Sequence, residues 1–398
     1  PRNVFEHPTL AALAAAAAAQ VPIEAEQGPV VGPVELTPIQ RWFFEQELPE
    51  PHHWNQSLLL EVRAEPERAT LEAALRHLVQ HHDALRMRFE RRAEGWGQEC
   101  GGPEEGTELL RWEDLSGAAD PPRALEEAAG RVQASLDLAR GPLLRAAYFE
   151  LGAGRPGRLL LVAHHLVVDG VSWRILLEDL EAAYRQEEEG GAVALPAKTT
   201  SYREWAGALG ELSGSAGLRE ELGYWVRAGR GEETPLPVDF PGGVNAEGSS
   251  ASVRVELTEG ETEAVLREVP QAYHTEVNEV LLTALAQALA RWTGRESAWV
   301  ELEGHGREEI SQQVDVSRTV GWFTTVYPVR LDVEGARGPG EALTAGKEAL
   351  LRLAVVGDAV VPAARVDVDE ELEVREVPLA EAERQEAYGE HVAGVATL

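Results

Sequence analysis

Arg158-Leu159-Leu160-Leu161-Val162-Ala163, running on into His164-His165-Leu166-Val167-Val168-Asp169-Gly170, is the stretch that decides the fold. A near-continuous apolar run of this length reads as a strand buried on both faces. Leu176, Leu180 and Tyr184 then recur at helical spacing, which predicts a helix over Val171–Arg185. Strand, short loop and helix place His165 just past a buried strand, with Gly170 letting the loop turn tightly. Neighbours on a strand face opposite ways, so His164 is expected to point into the protein. Asp169, directly before the helix, reads as an architectural residue whose expected ion-pair partner is Arg86 or Arg88.

Outward from this stretch, Thr37-Pro38 starts a helix, with Thr as cap and Pro in the first turn. Strands are predicted at Ser57–Val62, Leu85–Glu90, Leu143–Glu150, Ser252–Leu257, Trp299–Glu303 and Val326–Val333. Helices are predicted at Arg68–His82, 123–135, 201–227 and 275–293. Pro22, Gly28, Pro29, Gly32 and Pro33 mark a linker over 21–34, and residues 186–200 form a polar loop. The result is two α/β lobes, 35–190 and 191–398, behind a linker.

Composition excludes several classes. The 398 residues carry 36 Lys+Arg against 68 Asp+Glu, a formal charge of −32. Such a surface offers no sequence-independent grip on nucleic acid and repels anionic lipid. No apolar run reaches the length of a membrane span. Cys100 is the one cysteine, so no disulfide framework arises, which fits a reducing, cytoplasmic setting. His52-His53 and His81-His82-Asp83 lack metal-site spacing, and no metal is expected.

Four segments carry the chemistry. They are Leu36-Thr37-Pro38-Ile39-Gln40-Arg41-Trp42-Phe43-Phe44, His164 through Arg174, Glu303-Gly304-His305-Gly306-Arg307-Glu308, and Arg318-Thr319-Val320-Gly321-Trp322-Phe323-Thr324-Thr325-Val326-Tyr327-Pro328. Together they resemble the epimerization domain of nonribosomal peptide synthetases, a branch of the condensation-domain superfamily. The resemblance runs from about Val34 to about Leu353. It implies an α/β fold of two chloramphenicol-acetyltransferase-like lobes, forming a V-shaped pseudo-dimer with a central channel. It also implies inversion of the α-carbon of an L-aminoacyl or peptidyl residue held as a phosphopantetheinyl thioester on a carrier domain. The domain itself would bind no cofactor. Its partners would be an upstream peptidyl carrier domain in cis and downstream synthetase modules, with neither nucleic acid nor membrane involved.

The resemblance makes His165 and Glu303 the catalytic pair. His164, Asp169, Gly170, Arg86, Arg88, His305 and Arg307 would support them, and Ser172, Trp322, Phe323 and Thr324 would line the substrate channel, although Trp322 and Phe323 read equally well as core aromatic packing. Residues 1–20 resemble the last helix of a carrier domain, so the chain reads as part of something longer. After about Leu353 the family's Gly-rich stretch, crossover element and Asn-Tyr strand are missing from Ala354–Leu398. The second lobe is therefore expected to be atypical or incomplete there, with weak or absent activity. The rival readings are a condensation-type acyltransferase using His165 on an amine, and a catalytically impaired carrier-docking module.

Overall fold

The structure, a computed structural model, describes residues 25–356 apart from 94, 104–105, 153, 229–235, 244–248, 312 and 337. The carrier-like helix expected over 1–20 and nearly all of 354–398 lie outside the described residues.

The stretch read as a linker joins a sheet at its end. β1 (Gly32–Val34) pairs with the strand Gly95–Cys100, and Val30 beside it is buried. α1 (Pro38–Glu45) follows, its first turn closed by Gln40 Oε1 accepting from the Thr37 N–H at 3.1 Å. Then come β2 (Asn55–Val62), α2 (Arg68–His81), a 3₁₀ turn at Asp83–Arg86, β3 (Met87–Arg92) and β4 (Gly95–Cys100). β5 (Leu110–Asp114), α3 (Pro121–Gln133), β6 (Leu144–Glu150) and β7 (Gly157–His164) lead into α4 (Gly170–Glu188).

A small antiparallel sheet has the order β1-β4-β3 and the larger one β2-β7-β6-β5. β7 lies between β2 and β6, so its apolar run is covered along both edges and buried on both faces, as the sequence indicated. One face packs in the main core with α2 and α4 side chains such as Leu71, Leu75, Leu176 and Leu180. The other face, through Leu160 and Val162, packs on Ala128 and Val132 of α3.

Further on lie α5 (Tyr202–Ser213), α6 (Ala216–Ala228), α7 (Glu259–Glu263), a π turn at Ala264–Glu268 and α8 (Val269–Tyr273). α9 (Val277–Thr293), β8 (Ser297–Gly304), β9 (Thr325–Asp332) and α10 (Pro339–Val356) complete the described chain. β8 and β9 form an antiparallel pair, in register from Ser297↔Asp332 to Gly304↔Thr325. Tyr327, Val329 and Leu331 pack with Ala286 of α9 in a second, smaller core.

One sequence expectation changes. Ser252–Leu257 alternates like a strand, yet it pairs with no strand among the described residues, and Val253 is 92% exposed. A strand pattern needs a neighbouring edge to become a strand, and none meets it there. Residues beyond the expected boundary near 191 pack with those before it. Tyr202, Trp205, Val316, Val320, Trp322 and Phe323 all belong to the main core with the first lobe.

That shared core makes Phe323 a test of integrity. Fully buried between Tyr202 and Trp205, it should cost about 3–5 kcal/mol when cut to alanine. Urea unfolding of Phe323→Ala, followed by tryptophan fluorescence and by far-ultraviolet dichroism, is expected to show one transition moved as a unit. A shift confined to one of two separate transitions would mean that the first lobe folds without residues 202–323.

Candidate active site

The backbone of His165 opens a 3₁₀ turn, His165–Val167, directly after β7. Its N–H donates to Trp54 O at 2.8 Å, which ties the turn to the segment before β2. Gln40 of α1 also donates to Leu166 O at 3.3 Å. The His165 ring is buried against Trp322, with ring centroids 4.4 Å apart. Nδ1 lies 2.8 Å from Val168 O, and Nε2 lies 3.1 Å from the Gln56 amide nitrogen. Gln56 Oε1 in turn accepts from the Trp173 indole N–H at 2.9 Å.

His164 points inward, as strand alternation requires, and is fully buried. Its Nε2 donates to Pro51 O at 2.9 Å, while Nδ1 accepts from the Leu166 N–H at 3.1 Å. Burial above all pushes this imidazole down to about 3, opposed by its hydrogen bond to the Pro51 carbonyl, while the neighbouring histidines 165, 52 and 53 add smaller downward effects. It is neutral at working pH and shapes the loop.

Asp169 caps α4, accepting from the Ser172 N–H at 2.7 Å. Its ionic partner corrects the sequence expectation. Arg307 Nη2 reaches Oδ1 at 3.0 Å and Oδ2 at 3.1 Å, and both side chains are 8% exposed. Arg86 is instead taken by Asp83 at 2.6 Å and by backbone carbonyls of Val79, Gln80 and Gly101, while Arg88 lies beside Gly101 and Gly141. Arg307 Nη1 donates to Val316 O and Thr319 O, and its guanidinium lies 3.9 Å over the Phe323 ring. Phe323 N also donates to Asp169 Oδ2 at 3.3 Å. Gly170 is simply the first residue of α4 with open space beside it, so the turn depends on the Asp169 cap rather than on glycine freedom.

The Glu303–Arg307 run explains how Arg307 arrives. Glu303 is an exposed carboxylate at the end of β8, paired across to Val326. Gly306 has φ +66°, and a Cβ there would sit 1.7 Å from Phe323 O, so only glycine lets the chain pass this close. His305 is half exposed and accepts the Arg307 N–H at 2.9 Å. It thus orders the backbone of Arg307.

Three of the four residues assigned to a channel prove to be interior. Ser172 is fully buried, its hydroxyl within 2.7 Å of Asp169 Oδ1 and 2.9 Å of Gly321 O. Phe323 is core, and Trp322 is buried as the platform under His165. Thr324 alone is partly exposed. Sequence reasoning missed Gln56, whose signal was an amide pair, Asn55-Gln56, opening an otherwise apolar strand.

The histidine pair at 81–82 meets Asp179 from α4, a juxtaposition that local spacing does not reveal. Asp179 Oδ2 lies 2.9 Å from His82 and Oδ1 accepts from Arg318 at 2.7 Å, so both carboxylate oxygens are already engaged. Among the described residues no helix is long and apolar enough to cross a membrane.

With this geometry in place, similarity to known proteins is informative. Residues 31–358 match the Condensation domain family. Over 353 residues the chain is 47% identical to a linear gramicidin synthase subunit of Brevibacillus parabrevis, covering 88% of this chain and 7% of that protein. The epimerization domain from the third module of tyrocidine synthetase B matches with a TM-score of 0.76 at 38% identity, over 82% of this chain and 75% of that one. The first condensation domain of the calcium-dependent antibiotic synthetase matches with a TM-score of 0.65 at 26% identity, over 82% and 76%. The fold is accordingly the two-lobed, V-shaped, chloramphenicol-acetyltransferase-like one.

Unfolded His164 takes up a proton below its ordinary value of 6.5, whereas the folded residue does so only near 3. Between these values the unfolded state binds more protons, so the stability contributed by neutral His164 is full above about 6.5 and is lost as pH falls toward 3. His164→Gln is expected to flatten the acid-side dependence of unfolding free energy by up to about 1.4 kcal/mol per pH unit. Equal slopes for the two proteins would contradict the neutral, buried assignment.

Proposed function

The chain belongs to the condensation-domain family, and we propose that within it this chain is an epimerization domain. It would invert the α-carbon of an L-aminoacyl or peptidyl thioester carried on the phosphopantetheine of a carrier domain. The observation that supports this reading best is the fuller agreement with a solved epimerization domain, 38% identity and TM-score 0.76, than with a solved condensation domain, 26% and 0.65. The Glu303-Gly304-His305-Gly306-Arg307 run supports it from the chemical side.

Inversion removes the α-proton from one face and returns a proton to the other, with no net change in electrons. The thioester carbonyl takes the charge as an enolate, and two acid/base groups are needed. His165 fits the first role, because an imidazole held in a buried turn can take up and return a proton. Glu303 fits the second, because its exposed carboxylate near the end of β8 is open to a substrate. The ion pair of Arg307 and Asp169 connects the two segments that carry them.

The chain spans 7% of the length of the gramicidin synthase protein it matches, so its partners are part of the proposal. A carrier domain in cis would deliver the substrate, and tethering would supply a high effective concentration with little need for intrinsic affinity. Downstream modules would consume the D form.

The test loads a carrier with an L-aminoacyl-pantetheine and follows α-deuterium and chirality in D₂O. Exchange with inversion is expected, weak or absent in the chain as given and restored in a chimera whose residues 354–398 are replaced by the closing segment of an active relative. His165→Ala and Glu303→Gln should each lose net inversion by about 10²-fold or more. Weak exchange that rises when residues 354–398 are replaced by the closing segment of an active relative would assign the shortfall to the tail. Amide formation with an added aminoacyl acceptor, without exchange, would overturn the epimerase in favour of an acyltransferase. Absence of both reactions, in the chain and in the chimera, would leave a docking module.

A further inference from the structure

His165, Gln56 and Trp173 form a hydrogen-bond chain whose direction is fixed at both ends. The Trp173 indole has an N–H and no lone pair to offer, so the group facing it must be the Gln56 oxygen, at 2.9 Å. The Gln56 amide nitrogen therefore faces His165 Nε2, at 3.1 Å. At the other end Val168 O can only accept, so the His165 Nδ1 at 2.8 Å must carry a proton. With the proton on Nδ1 and an amide N–H facing Nε2, Nε2 has one consistent role, that of acceptor.

From this we propose that Gln56, oriented by Trp173, is a positioning residue that holds His165 neutral, with its proton on Nδ1 and its lone pair on Nε2. All three side chains are buried, so water does not compete for these bonds. The arrangement also accounts for the cost of an amide on an apolar strand. Gln56 sits opposite Ala163 on β7, one register step from the pair Asn55↔His164, where a leucine would satisfy packing alone. Trp322, packed against the ring at a tilt of 35°, limits its plane, and Gln56 fixes which nitrogen is free within that plane. A proton placed on Nε2 would set two N–H groups against each other. The resting site thus holds a base ready to take a proton, and taking one requires the Gln56 amide to turn aside or the proton to move on.

The rate consequences rest on the epimerase reading, whereas the charge state of the ring does not. The test therefore has two arms on the full chain. In the first, ¹⁵N spectra of the histidine rings, with His165 identified by subtraction of a His165→Asn spectrum, report which nitrogen is protonated. The wild type is expected to show His165 Nε2 unprotonated. Gln56→Glu still accepts from Trp173 but offers Nε2 an acceptor only, so it should put a proton on Nε2. Trp173→Phe frees the amide to flip, should move the ring in the same direction, and serves if Gln56→Glu does not fold. In the second arm, α-proton exchange on the carrier-bound substrate should fall in kcat by about 10²-fold or more in Gln56→Glu, with KM unchanged, while Gln56→Leu should lose less.

A protonated Nε2 in the wild type, or an unprotonated one in a folded Gln56→Glu or Trp173→Phe chain, would overturn the proposal. So would a loss confined to KM. If neither the wild type nor the chimera with the replaced closing segment exchanges the α-proton, the epimerase reading fails, and the spectra alone still decide the role of Gln56.

Discussion

A carboxylate carried into a packed interior must be met by a charge and by hydrogen bonds, because burying it alone costs several kcal/mol. Asp169 meets that demand through Arg307, 138 residues further along the chain, and through the backbone N–H groups of Ser172 and Phe323. Arg307 is held in turn by the carbonyls of Val316 and Thr319. The pair therefore binds the cap of α4 to the segment between β8 and β9. His165 and Asp169 are four positions apart, as are Glu303 and Arg307. Neither proton-transfer candidate can be moved far without disturbing the same ion pair.

Two further constraints make that pairing possible. Gly306 lets the chain pass against Phe323 O where any side chain would collide. Phe323 then lies under the guanidinium and against Tyr202 and Trp205, so the ion pair is walled by aromatic rings rather than water. Trp322, the preceding residue, packs against the His165 ring. One short stretch thus packs the core, supports the ion pair and sets the plane of the candidate base. Groups held this way have little freedom, which is what proton transfer with fixed geometry asks of a scaffold.

Much of this was legible in the sequence where the signal is local. The apolar run of β7, the Thr37-Pro38 start of α1 and the Asp169 cap are all decided by neighbours in the chain. Pairings across the fold were not. Any arginine could have answered Asp169, and the choice of Arg307 over Arg86 follows from the passage that Gly306 opens. Pro and Gly near residue 30 suggested a linker, yet Gly32–Val34 gains strand hydrogen bonds from β4, which outweigh local preference. Ser252–Leu257 shows the converse, a good strand pattern that meets no edge among the described residues. Ser172, Trp322 and Phe323 were assigned to a channel through resemblance, and the structure places them in the packed interior beside His165 and Asp169.

The Asp169–Arg307 pair is the joint on which the site depends, and a double-mutant cycle measures it. Unfolding free energies of Asp169→Asn, Arg307→Gln and the double variant would be compared with the wild type. Each single change is expected to cost about 3–5 kcal/mol, because it strands a buried partner. The double variant should cost less than the sum, with a coupling of up to about 3 kcal/mol. Costs that add to within about 0.5 kcal/mol would show two residues acting independently, and would contradict the claim that this ion pair joins the two segments of the site.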